Sequence, residues 1–110
     1  MNLDYHDGFL APCRVLDCTD HRGLLAGHIL AQLGADVVQM EPPGGSDGRR
    51  QHPIDPDGRK NENSFYWAAY ASGKRSIVCD PRANPETWRR LICAADILLE
   101  SAAPSDGRPA

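Results

Sequence analysis

The chain has 110 residues, of which 41% are hydrophobic and 25% charged, with a formal net charge of −3. That length limits it to a single domain, and the mild acidity offers no general attraction for nucleic acid or an anionic membrane. No apolar run approaches the ~18–20 residues of a membrane span, and the first twelve residues lack the basic head and apolar stretch of a signal peptide, so the expected compartment is the cytoplasm.

Residues 1–12 read as a flexible arm. Residues 13–18 (Cys13-Arg14-Val15-Leu16-Asp17-Cys18) read as a first strand, and Thr19 or Asp20 can cap a helix over about 22–33. Leu25, Ala26, Ile29, Leu30 and Leu33 give that helix a broad apolar face, and Gly34 is the expected stop. Residues 36–41 (Asp36 to Glu41) form a second strand whose near-continuous apolar run suits cover on both faces, with Gln39 the polar exception. Pro42-Pro43-Gly44-Gly45 forbids further strand or helix and opens a long polar loop to residue 62. Residues 63–72 carry the aromatic mass of a short helix, ended by Gly73. Lys74-Arg75 lead into a third strand over 75–80. Asn84-Pro85-Glu86 starts a helix to about residue 95, with Trp88, Leu91, Ile92 and Ala95 on its core face. Residues 96–100 form a fourth strand, and residues 104–110 a tail. Strands alternating with helices predict an α/β fold with a mostly parallel sheet.

No dinucleotide fingerprint or phosphate loop is present. Gly73-Lys74-Arg75-Ser76 leads into a strand, whereas a phosphate loop needs a helix to follow. The four cysteines have no metal-ligand spacing and read as buried thiols, so no metal is expected. Asp20-His21 reads as a capping acid beside an exposed histidine. The basic residues Arg49, Arg50, Arg59, Lys60, Lys74, Arg75 and Arg82, several near predicted strand ends, suit an anionic cofactor as a group.

Three blocks carry a resemblance. They are Leu25-Ala26-Gly27 through Leu33-Gly34-Ala35-Asp36-Val37-Val38-Gln39-Met40-Glu41-Pro42-Pro43-Gly44-Gly45, then Gly73-Lys74-Arg75-Ser76-Ile77-Val78-Cys79-Asp80, then Ala94-Ala95-Asp96-Ile97-Leu98-Leu99-Glu100. In this order and spacing, over residues 13–103, the chain resembles the opening of the family III CoA-transferases. The resemblance implies a Rossmann-like, incomplete N-terminal portion of that fold. It also implies coenzyme A or an acyl-CoA as substrate with a small carboxylic acid as co-substrate, and either self-association or a complementary subunit. By the same resemblance, CoA contacts fall on Leu25, Ala26, Pro42, Cys79, Asp80, Pro81, Arg82, Ser101, Ala102 and Ala103. Many relatives have Glu-Asn-Phe where Glu100-Ser101-Ala102 stands here, which removes an amide donor and acceptor. The family's nucleophilic aspartate has no counterpart among Asp17, Asp20, Asp36, Asp80 and Asp96, so no catalytic residue is assigned. The chain alone is expected to be inactive. The alternatives are a non-catalytic remnant pairing with a full-length relative, and an unrelated small nucleotide-binding protein.

Overall fold

A computed structural model describes residues 8–58 and 64–101. Four strands form one sheet: β1 (Arg14–Cys18), β2 (Asp36–Glu41), β3 (Arg75–Val78) and β4 (Ile97–Glu100). The helices are α1 (Leu24–Gln32), α2 (Phe65–Tyr70) and α3 (Pro85–Ala94), with single 3-10 turns at His21–Gly23 and Asp47–Arg50. Every strand pairing is parallel and the order is β3-β2-β1-β4. The expected α/β alternation is therefore present. The third strand ends at Val78, two residues short of its expected end, and the aromatic helix covers 65–70 within the predicted 63–72. Residues 1–7 and the 104–110 tail lie outside the described residues; residues 8–12 turn back onto α1, where the Leu10 amide donates to the Leu33 carbonyl at 2.9 Å.

The order places a topological switch at β1. From β1 the chain moves one way to β2 and β3, then crosses back over α3 to β4 on the other side of β1. Right-handed crossovers in opposite directions put α1 and α3 on opposite faces of the sheet. Strand alternation divides the apolar residues accordingly. Leu16, Cys18, Met40 and Cys79 pack under Trp88, Leu91 and Ile92 of α3, as the spacing of those residues predicts. Val15, Ala35 and Val37 pack under Leu30 and Ala31 of α1. Gly34, at φ +103°, supplies the left-handed residue that ends α1, and its α-carbon lies against Gly8.

Toward the carboxyl ends of the strands, the α1 face turns polar. Asp17, Gln39 and Glu41 continue the rows begun by Val15 and Val37, and all three are buried. Asp17 is therefore an interior residue, not the strand-end aspartate its sequence position suggests. Its side chain is 0% exposed and that of Lys74 1% exposed. The Lys74 ammonium donates to Asp17 Oδ2 at 2.9 Å, to the Leu24 carbonyl at 2.9 Å and to Gln39 Oε1 at 3.0 Å. The other Asp17 oxygen accepts from the Thr19 amide at 3.0 Å and hydroxyl at 2.5 Å. The Gln39 amide donates to the Thr19 carbonyl at 2.9 Å. Each ammonium proton thus has an acceptor, which a buried charge requires.

This corrects the reading of Lys74 and Arg75 as cations for an anionic cofactor. Lys74 is consumed by the interior. Arg75 pairs with Asp36 at 2.7 Å, at the amino ends of the strands and away from the loops that follow them. Arg49 is also engaged. It binds Glu41 through both oxygens, at 2.6 and 2.8 Å, and stacks 4.3 Å from the centre of the Trp67 ring. Burial pushes the Glu41 carboxyl up, but Arg49, the Ser46 amide and the Ser76 hydroxyl outweigh it and hold the group at about 2, from an ordinary 4.5.

Two outcomes follow from these buried charges. A β-carbon on Gly27 would overlap the Asp17 carboxylate and press on Lys74. Ala is the better helix former by about 1 kcal/mol, but forcing this pair apart costs more, so Gly27→Ala should destabilise by about 2 kcal/mol or more in urea unfolding. Because the folded Glu41 binds its proton less readily than the unfolded chain does, its contribution is complete above pH ~4.5 and disappears toward pH ~2. Stability measured across that window should fall, by on the order of 3 kcal/mol from this residue. Glu41→Gln should lower stability at pH 7 and flatten the slope.

Candidate functional site

The loops after all four strands surround one cleft of about 450 Å³ at the carboxyl ends of the sheet. Cys18, Met40 and Cys79 form its floor. Thr19 and Asp20 enter from β1, and Ser101 from β4. The loop after β2 supplies Pro42, Pro43, Gly45, Ser46, Asp47 and Arg50, and the turn after β3 supplies Asp80 and Pro81. The cleft therefore lies beside the β1/β4 switch, the crevice where open α/β sheets bind ligands.

Local bonds fix its rim. The Asp20 amide donates to Ser101 Oγ at 2.9 Å, joining the strand ends on either side of the switch. Asp20 caps the turn that precedes α1 by accepting from the Arg22 amide at 2.9 Å. It also holds the Arg22 guanidinium, the main reason its carboxyl is lowered to about 2. Asp47 closes the loop after β2 against the β1 loop: it accepts from the His21 amide at 2.9 Å, and its other oxygen lies 2.6 Å from His21 Nδ1. The Tyr66 hydroxyl donates to the His21 carbonyl at 2.8 Å. Below this rim, Ser46 and Arg49 tie the same loop to Glu41. The first part of the long polar segment is thus pinned at both levels by Ser46, Asp47 and Arg49, and its sequence shows no periodicity from which this could be read.

Among the charged lining residues, Arg22 is engaged by Asp20, while Arg50 has no ion pair among the described residues. Arg50 is therefore the cation the cleft can offer to an anionic ligand. Asp20, His21 and Asp47 bring one ligand atom each within 4.8 Å of the others, as a cation site would, but Arg22 and the internal His21–Asp47 pair already occupy these carboxylates. The Cys79 thiol is pushed up by burial and by the neighbouring Asp80 carboxylate, so it stays protonated near neutrality and is no nucleophile.

Five of the expected CoA-contact positions converge here: Pro42, Cys79, Asp80, Pro81 and Ser101. Leu25 and Ala26 lie on the exposed side of α1 and do not line the cleft. Arg82 follows Pro81 on the surface, with its amide donating to Asp80 Oδ1 at 3.0 Å, and is also outside the lining. Ala102 and Ala103 fall outside the described residues. Sequence reasoning did not single out Thr19, Ser46 or Asp47 for the site. Each is a small polar residue next to a strand end, a signal too common to stand out.

Comparison with known proteins places the chain in a family. The description of CoA-transferase family III matches residues 10–108. The chain is 43% identical over 72 residues to 2-methylfumaryl-CoA isomerase of Chloroflexus aurantiacus, a match covering 64% of this chain and 17% of that protein. It is 40% identical over 85 residues to succinate–glutarate CoA-transferase of Agrobacterium fabrum, covering 72% of this chain and 21% of the relative. Among solved structures, a CAIB/BAIF family protein from Brucella suis superposes with a TM-score of 0.73 at 36% identity, over 84% of this chain and 25% of that one. Rv3272 from Mycobacterium tuberculosis gives 0.74 at 33% identity, over 89% and 26%. The chain thus spans about a quarter or less of the length of these relatives, and within that span both sequence and backbone fold agree: it belongs to CoA-transferase family III.

Proposed function

We propose that this chain is the N-terminal, CoA-holding portion of a family III CoA-transferase, and that by itself it binds CoA weakly and transfers nothing. The complete reaction moves CoA between carboxylic acids through a nucleophilic aspartate that forms anhydride and thioester intermediates. The observation that carries the binding half is the convergence of Pro42, Cys79, Asp80, Pro81 and Ser101. They come from three separate loops and meet in one cleft beside the switch point. CoA is a polyanion, and Arg50 at the cleft is suited to a phosphate.

The inactive half rests on what the aspartates of the sheet ends already do. Asp17 holds Lys74, Asp20 holds Arg22 and Asp36 holds Arg75. Asp80 accepts from the Arg82 amide and Asp96 from the Arg14 amide. A carboxylate that must attack a thioester has to be free and aimed at it, with a group to stabilise the developing charge. None of these five has that setting among the described residues.

Calorimetric titration of the 110-residue chain with CoA should give weak binding that falls with added salt. Arg50→Ala should reduce the affinity by about 10- to 100-fold, the loss of one charge-assisted hydrogen bond. Incubation with a CoA thioester and a second carboxylic acid should give no exchanged thioester by mass spectrometry. Absence of CoA binding at low salt would remove the binding half, and turnover by the purified chain would remove the other.

A further inference from the structure

Arg50 lines the cleft together with three carboxylates, Asp20, Asp47 and Asp80, and is ion-paired with none of them. Two of the three face donors in their own turns: Asp20 holds Arg22, and Asp80 accepts from the Arg82 amide. The third, Asp47, stands three residues before Arg50 in the single 3-10 turn Asp47–Arg50. Side chains at i and i+3 of such a turn eclipse one another. Asp47 and Arg50 accordingly both reach the cleft, while Gly48 and Arg49 between them do not line it, and Arg49 turns away to Glu41. Opposite charges at this spacing ordinarily attract each other on a helix surface. Here they do not pair, and the reason is His21. One Asp47 oxygen accepts from the His21 amide at 2.9 Å, and the other lies 2.6 Å from His21 Nδ1. The Tyr66 hydroxyl of α2 fixes the same residue by donating to its carbonyl at 2.8 Å.

We propose that His21 is a positioning residue of the cleft: it holds the Asp47 carboxylate away from Arg50 and so keeps that guanidinium available to an anionic ligand. The use of Arg50 by CoA rests on the CoA-binding reading above; the hold on Asp47 does not. A carboxylate offers only acceptors, so Nδ1 carries the proton of the neutral His21 ring. The charged ring has a proton there as well, and the hold therefore survives in either state. Amide and ring nitrogen together present two donors to one carboxylate, one to each oxygen, and the exposed Arg50 would have to displace them. Without the ring donor, one Asp47 oxygen is released a single turn from Arg50, and the cation of the cleft is neutralised from within its own loop. His21 lies between Asp20 and Arg22, which line the cleft, but does not line it itself, so its effect on a ligand passes through Asp47.

Long-range proton–nitrogen NMR spectra of the full 110-residue chain at alkaline pH should show His21 with its proton on Nδ1. In His21→Ala the Arg50 Nε–H should exchange with water more slowly than in the parent, and adding Asp47→Asn should return the parent rate. Should the alanine variant fail to fold, His21→Phe keeps the ring volume, removes the donor and gives the same reading. His21→Asn, which sets an amide N–H where Nδ1 stands, should rescue the parent behaviour. In calorimetric titration with CoA, His21→Ala should weaken binding about 3- to 5-fold, the strength of an exposed ion pair. Asp47→Asn should then restore more affinity in that background than it adds to the parent. Three results would each overturn the proposal: a proton on Nε2, an Arg50 exchange rate unmoved by loss of the ring donor, and an Asp47→Asn effect on CoA affinity equal in the two backgrounds. A parent chain that binds no CoA would remove the CoA-binding reading, and the tautomer and the Arg50 exchange rate would still decide this one.

Discussion

A buried ammonium group governs this fold. Lys74 reaches from the entrance of β3 beneath α1 and ends among Asp17 of β1, Gln39 of β2 and the Leu24 carbonyl of α1. Removing a charge from water costs several kcal/mol, and here full coordination offsets that cost. Four elements must be in register for it to be met. The linkage continues outward: Asp17 holds Thr19, Thr19 receives Gln39, and the next residue, Asp20, bonds Ser101 across the switch point. The rim of the cleft is thereby fixed from underneath by the interior of the sheet. Gly27 is required for the same reason, since a larger residue would occupy the space of the carboxylate.

The two faces of the sheet solve the burial problem differently. Under α3 the core is wholly apolar, and Trp88 fills it. Under α1 only the amino half of the strands is apolar; the carboxyl half carries Asp17–Lys74 and Glu41–Arg49. The second pair anchors the loop after β2 as the first anchors the loop after β1. Both ionic clusters thus lie directly below the loops that form the cleft. Rigid strand ends beneath variable loops are what a binding site on an open α/β sheet needs.

Much of this was legible in the sequence. Alternating periodicities gave the strands and helices, Gly34 gave the end of α1, and the i, i+3, i+4, i+7 spacing of Trp88, Leu91, Ile92 and Ala95 gave the face of α3 that is buried. The strand order and the interior charges were not legible. Period-two alternation puts Asp17, Gln39 and Glu41 on the row of Val15 and Val37, yet a polar residue in a strand ordinarily reads as solvent-facing. Lys74 follows a turn glycine and precedes Arg75, so the two look like one basic pair; one is buried with Asp17 and the other is exposed beside Asp36. The cleft was legible where the family resemblance reached, at Pro42, Cys79 to Pro81 and Ser101. It was not legible in the loop after β2, where Ser46 and Asp47 act through bonds to residues far away in sequence.

The central claim is that the Asp17–Lys74 pair holds the strand ends together as a unit, and a double-mutant cycle tests it most directly. Unfolding free energies would be measured for the parent chain, Asp17→Asn, Lys74→Met and the double variant. Each single change leaves an uncompensated buried group and should cost roughly 3–5 kcal/mol. The double variant should lose little more than either single one, a coupling of about 2 kcal/mol or more. Single losses that simply add in the double variant would show that the pair is not coupled and would contradict this account.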